Sequence, residues 1–137
     1  MLMPKKVKHR KWHKAYSGGK STRTVTVSFG SFGLRSLSSS WVNSRQIEAA
    51  RKVMTRYVRR GGKVWIRVFP AHPVTKKGNE IPMGGGKGAV DHFMVSVNPG
   101  MILFEVDGIP EAQARLALTE AGHKLPVKTR VVARQEV

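Results

Sequence analysis

The chain has 137 residues, of which 40% are hydrophobic, and its formal net charge at pH 7 is +17. That length suits one domain with one core, and the hydrophobic content excludes wholesale disorder. It contains no cysteine, which excludes disulfides, a thiolate nucleophile and cysteine-ligated metal sites. No apolar run approaches the roughly 20 residues that span a bilayer, so we expect a cytoplasmic protein that does not associate with membranes.

The positive charge is concentrated in residues 1–90, which carry 20 lysines and arginines against two acids, Glu48 and Glu80. The remaining 47 residues hold five basic and six acidic side chains. A charge this uneven tells against an ordinary soluble enzyme and indicates a polyanionic partner, with nucleic acid as the leading candidate.

Residues 1–23 contain eight lysines and arginines and no acid, with Trp12 and Tyr16 between them. This composition predicts a basic arm that becomes ordered on a phosphate backbone, where its aromatic rings can stack. The alternative is a solvated basic tail. His9 and His13 have helical spacing, but the surrounding cations repel a divalent metal ion. We therefore predict no metal site and no cofactor.

From Thr24 to Phe29 apolar and polar residues alternate, which predicts a half-buried strand that breaks at residues 30–33. The serine-rich residues 36–40 predict a loop. Asn43 and Gln46 have the spacing of a helix-capping pair, and the helix is expected from about Ser44 to Arg60, before Gly61 and Gly62.

This predicted helix has two contrasting faces. Its apolar stripe comprises Ile47, Ala50, Met54, Tyr57 and Val58, and its basic side comprises Arg45, Lys52, Arg56, Arg59 and Arg60. Glu48 is the one acid in the segment, whereas a solvent-facing side normally mixes signs. The basic side is therefore predicted to contact phosphates, with a merely solvated face as the alternative.

Residues 63–69 predict a strand that ends at Pro70. Residues 71–89, with two prolines, five glycines and no hydrophobic period, predict a long loop that binds a partner. The run Gly84-Gly85-Gly86-Lys87-Gly88 fails as a nucleotide phosphate loop, because Ile81 and Gly88 stand where a glycine and a hydroxyl are needed. A glycine strip that lets the backbone approach RNA is favoured instead.

The last third predicts two strands, Val90–Val97 and Met101–Val106, joined by a type II turn into an antiparallel hairpin. A second helix is expected from Pro110 to near Gly122, and a final strand from Val127. The predicted fold class is α+β: a two-layer domain of one mainly antiparallel sheet and two helices, with a basic N-terminal arm and a long Gly/Pro/Lys loop. We predict a single domain over residues 1–137.

Several blocks of sequence, in order along nearly the whole chain, resemble bacterial large-subunit ribosomal protein sixteen. They are Met1-Leu2 with Pro4-Lys5, His13-Lys14, Val27-Ser-Phe-Gly-Ser-Phe-Gly-Leu34, Arg45-Gln-Ile-Glu-Ala-Ala-Arg51, Met54-Thr55-Arg56, Trp65-Ile-Arg-Val-Phe-Pro70 and Lys124-Leu-Pro-Val-Lys-Thr129.

The resemblance implies a structural, non-enzymatic protein of the 50S subunit that binds 23S rRNA, helps to shape the aminoacyl-tRNA site near the peptidyl transferase centre and acts in late subunit assembly. It implies proximity to the 5S rRNA region, tRNA acceptor ends and neighbouring 50S proteins, without homo-oligomerisation. The residues expected to bind rRNA are Lys5, Lys6, Lys8, Arg10, Lys11, Trp12, His13, Lys14, Arg35, Arg45, Lys52, Arg56, Arg59 and Arg60. The loop residues expected near the catalytic centre are Lys76, Lys77, Pro82, Met83, Gly84, Gly85, Gly86, Lys87 and Gly88.

The chain departs from the family pattern at the loop tip. The family usually reads Arg-Met-Gly-Lys-Gly-Lys-Gly where this chain has residues Pro82 to Gly88, so one arginine and one lysine are missing. Some members hydroxylate that arginine, and we predict no such modification at Pro82.

Two alternatives from other classes remain. An RNA-processing enzyme would need an acid–base pair, such as a histidine with Glu80 or Asp91, but the sequence offers no paired spacing for it. A nonspecific compacting protein would bind DNA and unrelated RNA equally well.

Overall fold

The computed structural model describes residues 2–6, 25–58, 61–76 and 89–134. The helices and strands within these ranges are, in chain order, β1 (Phe32–Ser36), β2 (Ser40–Asn43), α1 (Ser44–Tyr57), β3 (Lys63–Ile66), β4 (His72–Lys76), β5 (Ala89–Val97), β6 (Ile102–Asp107), α2 (Glu111–Gly122) and β7 (Thr129–Ala133).

The strands form two antiparallel sheets. Sheet A has four strands in the order β3-β6-β1-β7, and sheet B has three in the order β2-β5-β4. The α+β class is therefore confirmed, whereas the prediction of one sheet is wrong.

The predicted hairpin of β5 and β6 is also wrong, although both strands exist. The turn between them forms, with Met101 N–H donating to Asn98 O and Gly100 at a φ of +95°. However, Gly100 N–H donates to Ser36 O and Ser36 N–H to Met101 O, which ties the turn to the end of β1. Each strand has two other neighbours: β5 lies between β2 and β4, and β6 lies between β3 and β1.

The strand predicted over Thr24–Phe29 is absent from its described part, Val25 to Phe29. The N–H groups of Ser28, Phe29 and Gly30 all donate to one oxygen, Oε1 of Glu105, at 3.0, 2.8 and 2.9 Å. Three successive N–H groups that converge on one atom require a curved backbone, which is incompatible with a strand. Strand β1 starts at Phe32 instead, inside the predicted break, and runs to Ser36.

Two short edge strands of sheet B lie where loops were predicted. Strand β2 begins at Ser40, inside the serine-rich stretch, and pairs with β5. Strand β4 occupies the start of the predicted loop 71–89, and its Pro73 is tolerated because an edge strand does not need every N–H group. The rest of that loop, residues 77–88, lies outside the described residues. Strand β3 ends at Ile66, earlier than predicted, although Arg67 N–H still donates to Leu103 O.

Both helices were predicted, and they pack against each other over one shared core. The core includes Ile47, Ala50 and Met54 of α1, which belong to the predicted apolar stripe. Helix α2 contributes Ala114, Leu118 and Ala121, and the strands add residues such as Leu34, Val42, Phe104 and Val106. Helix α1 ends at Tyr57, and Gly61 beyond it has a φ of +84°, a conformation that favours glycine. Neither helix within the described ranges is long and apolar enough to cross a membrane.

Candidate RNA-binding surface

Helix α1 is fixed in its rotation by its first turn and its buried side. The side-chain oxygen of Asn43 accepts from Gln46 N–H at 2.8 Å, and the Gln46 side chain accepts from Asn43 N–H at 3.0 Å, which completes the predicted capping box. Burial of Ile47, Ala50 and Met54 then determines which residues face outward.

The outward side carries Arg45, Lys52 and Arg56, which we call the α1 cationic face. All three are exposed, and their spacings of seven and four residues place them on one side of the helix. Within the described ranges, no carboxylate lies within ion-pair distance of any of them. Three unneutralised cations in a row are suited to a ligand with repeated negative charge.

The one acid of α1 forms its ion pair outside this face, and its Coulombic interaction with Lys52 is a smaller one. Glu48 forms an ion pair with Arg51, three residues further on, and this hydrogen bond lowers the pKa of the Glu48 carboxyl from its ordinary value of 4.5. The acid is therefore ionised at neutral pH and already has a cationic partner.

Arg51, Lys52, Thr55 and Arg56 line a shallow, open depression on α1. It lacks the enclosure that small-molecule sites have. An open, basic depression suits a phosphate group of an extended backbone, which is positioned by charge rather than by complete burial.

The other predicted rRNA-binding residues are only partly within the described structure. Lys5 and Lys6 are exposed, close to Leu2, which packs against the core. Lys76 is the last residue of β4. The remaining predicted residues lie outside the described residues: Lys8, Arg10, Lys11, Trp12, His13, Lys14, Arg59, Arg60, Lys77, Pro82, Met83, Gly84, Gly85, Gly86, Lys87 and Gly88.

Arg35, another predicted rRNA-binding residue, has a role inside the fold. Its Nη2 donates to Val25 O at 3.2 Å, and its Nε atom is buried. Arg35 thus helps to fasten the segment from Val25 to Gly30 against sheet A. Its contact with RNA stays a prediction.

Glu105 is the centre of this fastening. Its side chain is fully buried, and besides the three N–H donors of Ser28, Phe29 and Gly30 it forms an ion pair with Arg67. Burial opposes ionisation of Glu105, but the Gly30 N–H, the Arg67 guanidinium and the Phe29 N–H together lower the pKa of its carboxyl below the ordinary value. An ionised carboxylate therefore holds the segment through which the predicted basic arm joins the domain.

The segment packs closely because the sheet offers a glycine beneath it. A Cβ atom at Gly33 would lie only 2.8 Å from the Val27 side chain, which is buried there. Val27 therefore covers this face of sheet A, with Phe29 beyond it.

Sequence reasoning missed an aromatic cluster at the same place. The rings of Phe29 and Trp65 lie 6.2 Å apart at an angle of 19°, and the Arg67 guanidinium carbon lies 4.9 Å from the centre of the Phe29 ring. The alternation of Trp65 and Arg67 was a signal that the two share one side of the chain at the end of β3, but their contacts with Phe29 depend on the Glu105 contacts.

The family of the chain is established by comparison with known proteins. The family model described as ribosomal protein L16p/L10e matches residues 4–132. The chain belongs to this family. The family is one of structural ribosomal proteins, so the predicted resemblance is confirmed, as is the prediction that the chain is not an enzyme.

Individual relatives agree with the family model over the full length. Proteins named large ribosomal subunit protein uL16 from Staphylococcus epidermidis and from Staphylococcus aureus strain Newman are 54% and 55% identical to this chain. The protein of the same name from Macrococcus caseolyticus is 53% identical. Each alignment covers all of this chain and 95% of the relative.

Proposed function

We propose that this chain binds 23S rRNA through the α1 cationic face and the basic arm, and that residues 77–88 lie near the tRNA acceptor ends. As a member of the L16p/L10e family, the chain is a structural constituent of the large ribosomal subunit and is located in the ribosome. The rRNA contacts and the proximity to tRNA are the parts that need testing.

The observation that carries the proposal is the set of unneutralised cations on α1. A globular protein gains little from placing like charges side by side, because their mutual repulsion opposes compactness. Arg45, Lys52 and Arg56 are exposed on one side of a helix whose orientation the core fixes. Phosphates of an RNA backbone would supply the missing negative charge.

The arm and the loop extend this proposed surface along the sequence. Lys8 to Lys14 of the arm would neutralise further phosphates, and Trp12 would stack on a base or sugar. Residues Pro82 to Gly88 would approach the peptidyl transferase centre through backbone contacts, with Lys87 as the cation of the tip. The reactions at that centre would then belong to RNA, since the chain is not an enzyme.

The remaining proposed partners are those that the family resemblance implies. They are the 5S rRNA region and neighbouring 50S proteins, and participation in late subunit assembly would follow from binding several rRNA elements at once. A monomer suffices for this arrangement.

The test compares two triple variants of equal charge change. Arg45→Gln/Lys52→Gln/Arg56→Gln removes the α1 cationic face, and Arg115→Gln/Lys124→Gln/Lys128→Gln removes three exposed cations elsewhere. Binding of each to 23S rRNA is measured over a series of salt concentrations. Since each lost phosphate contact reduces the slope of log affinity against log salt by about 0.7 to 0.9, the first variant should reduce it by about 2 to 3.

The control variant should retain nearly the wild-type slope and affinity. An equal loss in both variants would show that only total charge matters and would contradict the proposed surface. Unrelated RNA and duplex DNA of matched length form the second comparison. Equal affinity of the wild-type protein for all three nucleic acids would favour the compacting alternative.

A further inference from the structure

An exposed aromatic ring lies on the side of sheet A that faces away from α2. Phe29 is 54% exposed, and Phe69, two residues after Arg67, is 46% exposed. Phe29 stacks on Trp65, and the Arg67 guanidinium carbon lies over the Phe29 ring, 4.9 Å from its centre. We call Phe29, Trp65 and Arg67 the aromatic platform.

The platform is held rigidly by its neighbours. Phe29 N–H donates to Glu105 at 2.8 Å, and Arg67 pairs with the same carboxylate while donating to Thr26 O at 3.2 Å. A ring whose backbone and neighbours are already fixed loses little conformational freedom when a ligand stacks on it. The fold thus presents an exposed ring in advance of any partner.

The charges around the platform favour a nucleic acid over an apolar protein surface. Lys63, at the start of the same strand as Trp65, is exposed. Asp107, which is opposite Lys63 in the sheet register, accepts a hydrogen bond from the Ser31 hydroxyl at 2.6 Å and interacts with the charges of both Lys63 and Arg134, so these two cations outnumber it. An RNA strand held by these cations would bring its bases to the ring.

We propose that an unpaired base of rRNA stacks on the exposed part of the Phe29 ring. This inference rests on the proposed function, because it deepens rRNA binding with a second contact of a different chemical kind. Stacking on aromatic side chains tolerates any base, so the platform adds affinity and fixes the position of one nucleotide without reading its identity.

The test replaces the ring while retaining apolar bulk. Phe29→Leu should weaken binding to 23S rRNA by about fivefold to a hundredfold, because base stacking is lost. The slope of log affinity against log salt should stay unchanged, because no cation has been removed. Phe29→Tyr keeps the ring and should restore the wild-type affinity. Leu116→Ala, at a 49% exposed leucine of α2, is the matched control and should have no effect.

The outcomes separate this inference from the proposed function. Wild-type affinity of a folded Phe29→Leu protein, alongside weak binding by the Arg45/Lys52/Arg56 variant, would overturn the platform and keep the α1 surface. Equal salt slopes for the Arg45/Lys52/Arg56 variant and the Arg115/Lys124/Lys128 control would overturn the proposed function. If Phe29→Leu binds rRNA normally but is under-represented in sedimented large subunits, the ring contacts a neighbouring protein and the inference is wrong. Thermal unfolding of each variant, followed by circular dichroism, verifies that it is folded.

Discussion

Helices α1 and α2 pack against each other, yet their outer sides differ in charge. On α2 the exposed Arg115 pairs with Glu111 at 3.1 Å, and His123 after the helix lies 3.8 Å from Glu120. On α1 Glu48 pairs with Arg51, but Arg45, Lys52 and Arg56 have no acid within ion-pair distance in the described ranges. The buried sides of both helices pack into the same core, which determines their apolar residues. The residues on the outer sides are not constrained by the core and reflect what each side contacts. The outer side of α2, whose charges are paired, is suited to contact with solvent, whereas the unpaired cations of α1 indicate a polyanionic partner.

The same contrast extends to the acids of the chain. After residue 90, each described acid has a hydrogen-bond or ion-pair partner within the protein: Asp91, Glu105, Asp107, Glu111 and Glu120. The acids of the last third are therefore used by the fold. The surplus of cations in the first two thirds remains for contacts outside it.

The largest expected effect tests whether the buried sides of the two helices are equivalent. Met54 of α1 and Leu118 of α2 are both 0% exposed. Met54→Ala and Leu118→Ala should each lower the free energy of unfolding by about 3 kcal/mol, because each leaves a cavity. Urea denaturation measures this, with Leu116→Ala as the exposed control. If only one of the two substitutions lowered the free energy of unfolding, the buried sides of the two helices would not be equivalent.

A second prediction concerns the acid that the fold uses most. Glu105→Gln should lower the free energy of unfolding at pH 7 by about 3 kcal/mol, because it leaves the Arg67 charge without its partner. Glu111→Gln, at an exposed ion pair of α2, should change it by less than about 0.5 kcal/mol.

The second prediction also specifies how the stability difference between wild type and Glu105→Gln changes with pH. The folded-state pKa of Glu105 lies below its ordinary value of 4.5, so its stabilisation is complete above that pH and is lost as the pH falls through the lowered pKa. The difference in stability between wild type and Glu105→Gln should therefore shrink on acidification below pH 4.5. A difference that stays constant down to pH 2 would contradict the ionised carboxylate.

The smallest expected effect concerns two single variants, each measured for both its free energy of unfolding and its rRNA affinity. Arg56→Gln on α1 should leave the free energy of unfolding within about 0.5 kcal/mol of wild type, but should reduce rRNA affinity and its salt slope by one contact. Arg115→Gln on α2 should cost a few tenths of a kcal/mol and leave rRNA affinity unchanged. If Arg115→Gln weakened rRNA binding as much as Arg56→Gln, the outer sides of the two helices would not differ in function.

Local patterns predicted the helices well, and non-local contacts explain most of the errors. The period of α1 and its Asn43 cap are encoded within a few residues of sequence, so its apolar and basic sides could be predicted. The alternation from Val25 to Phe29 satisfied the same kind of rule, yet its N–H groups belong to a carboxylate more than 75 residues away. Strand pairing failed largely for the same reason: β6 pairs with β1 and β3, and β5 pairs with β2, all of which are distant in sequence, although the other partner of β5 is the preceding strand β4.

The candidate site divides in a similar way. Arg45, Lys52 and Arg56 were predictable because one helix aligns them. The internal role of Arg35 and the meeting of Phe29 with Trp65 were not, because both depend on how a segment lies across sheet A. Charge composition indicates what kind of partner the chain has, and tertiary contacts decide which side chains remain available to it.

The Glu105 contacts also constrain the order of events while the chain is being synthesised. Residues 28–30 are synthesised first, and the Glu105 carboxylate that accepts their hydrogen bonds is synthesised some 75 residues later. Strand β1 must likewise wait, because both of its neighbours, β6 and β7, come from the final third. At translation rates of about 5 to 20 residues per second, this interval lasts several seconds. During that time residues 28–30 and β1 have no strand or carboxylate to bind. Residues from the final third of the chain therefore complete the sheet that holds the earlier ones.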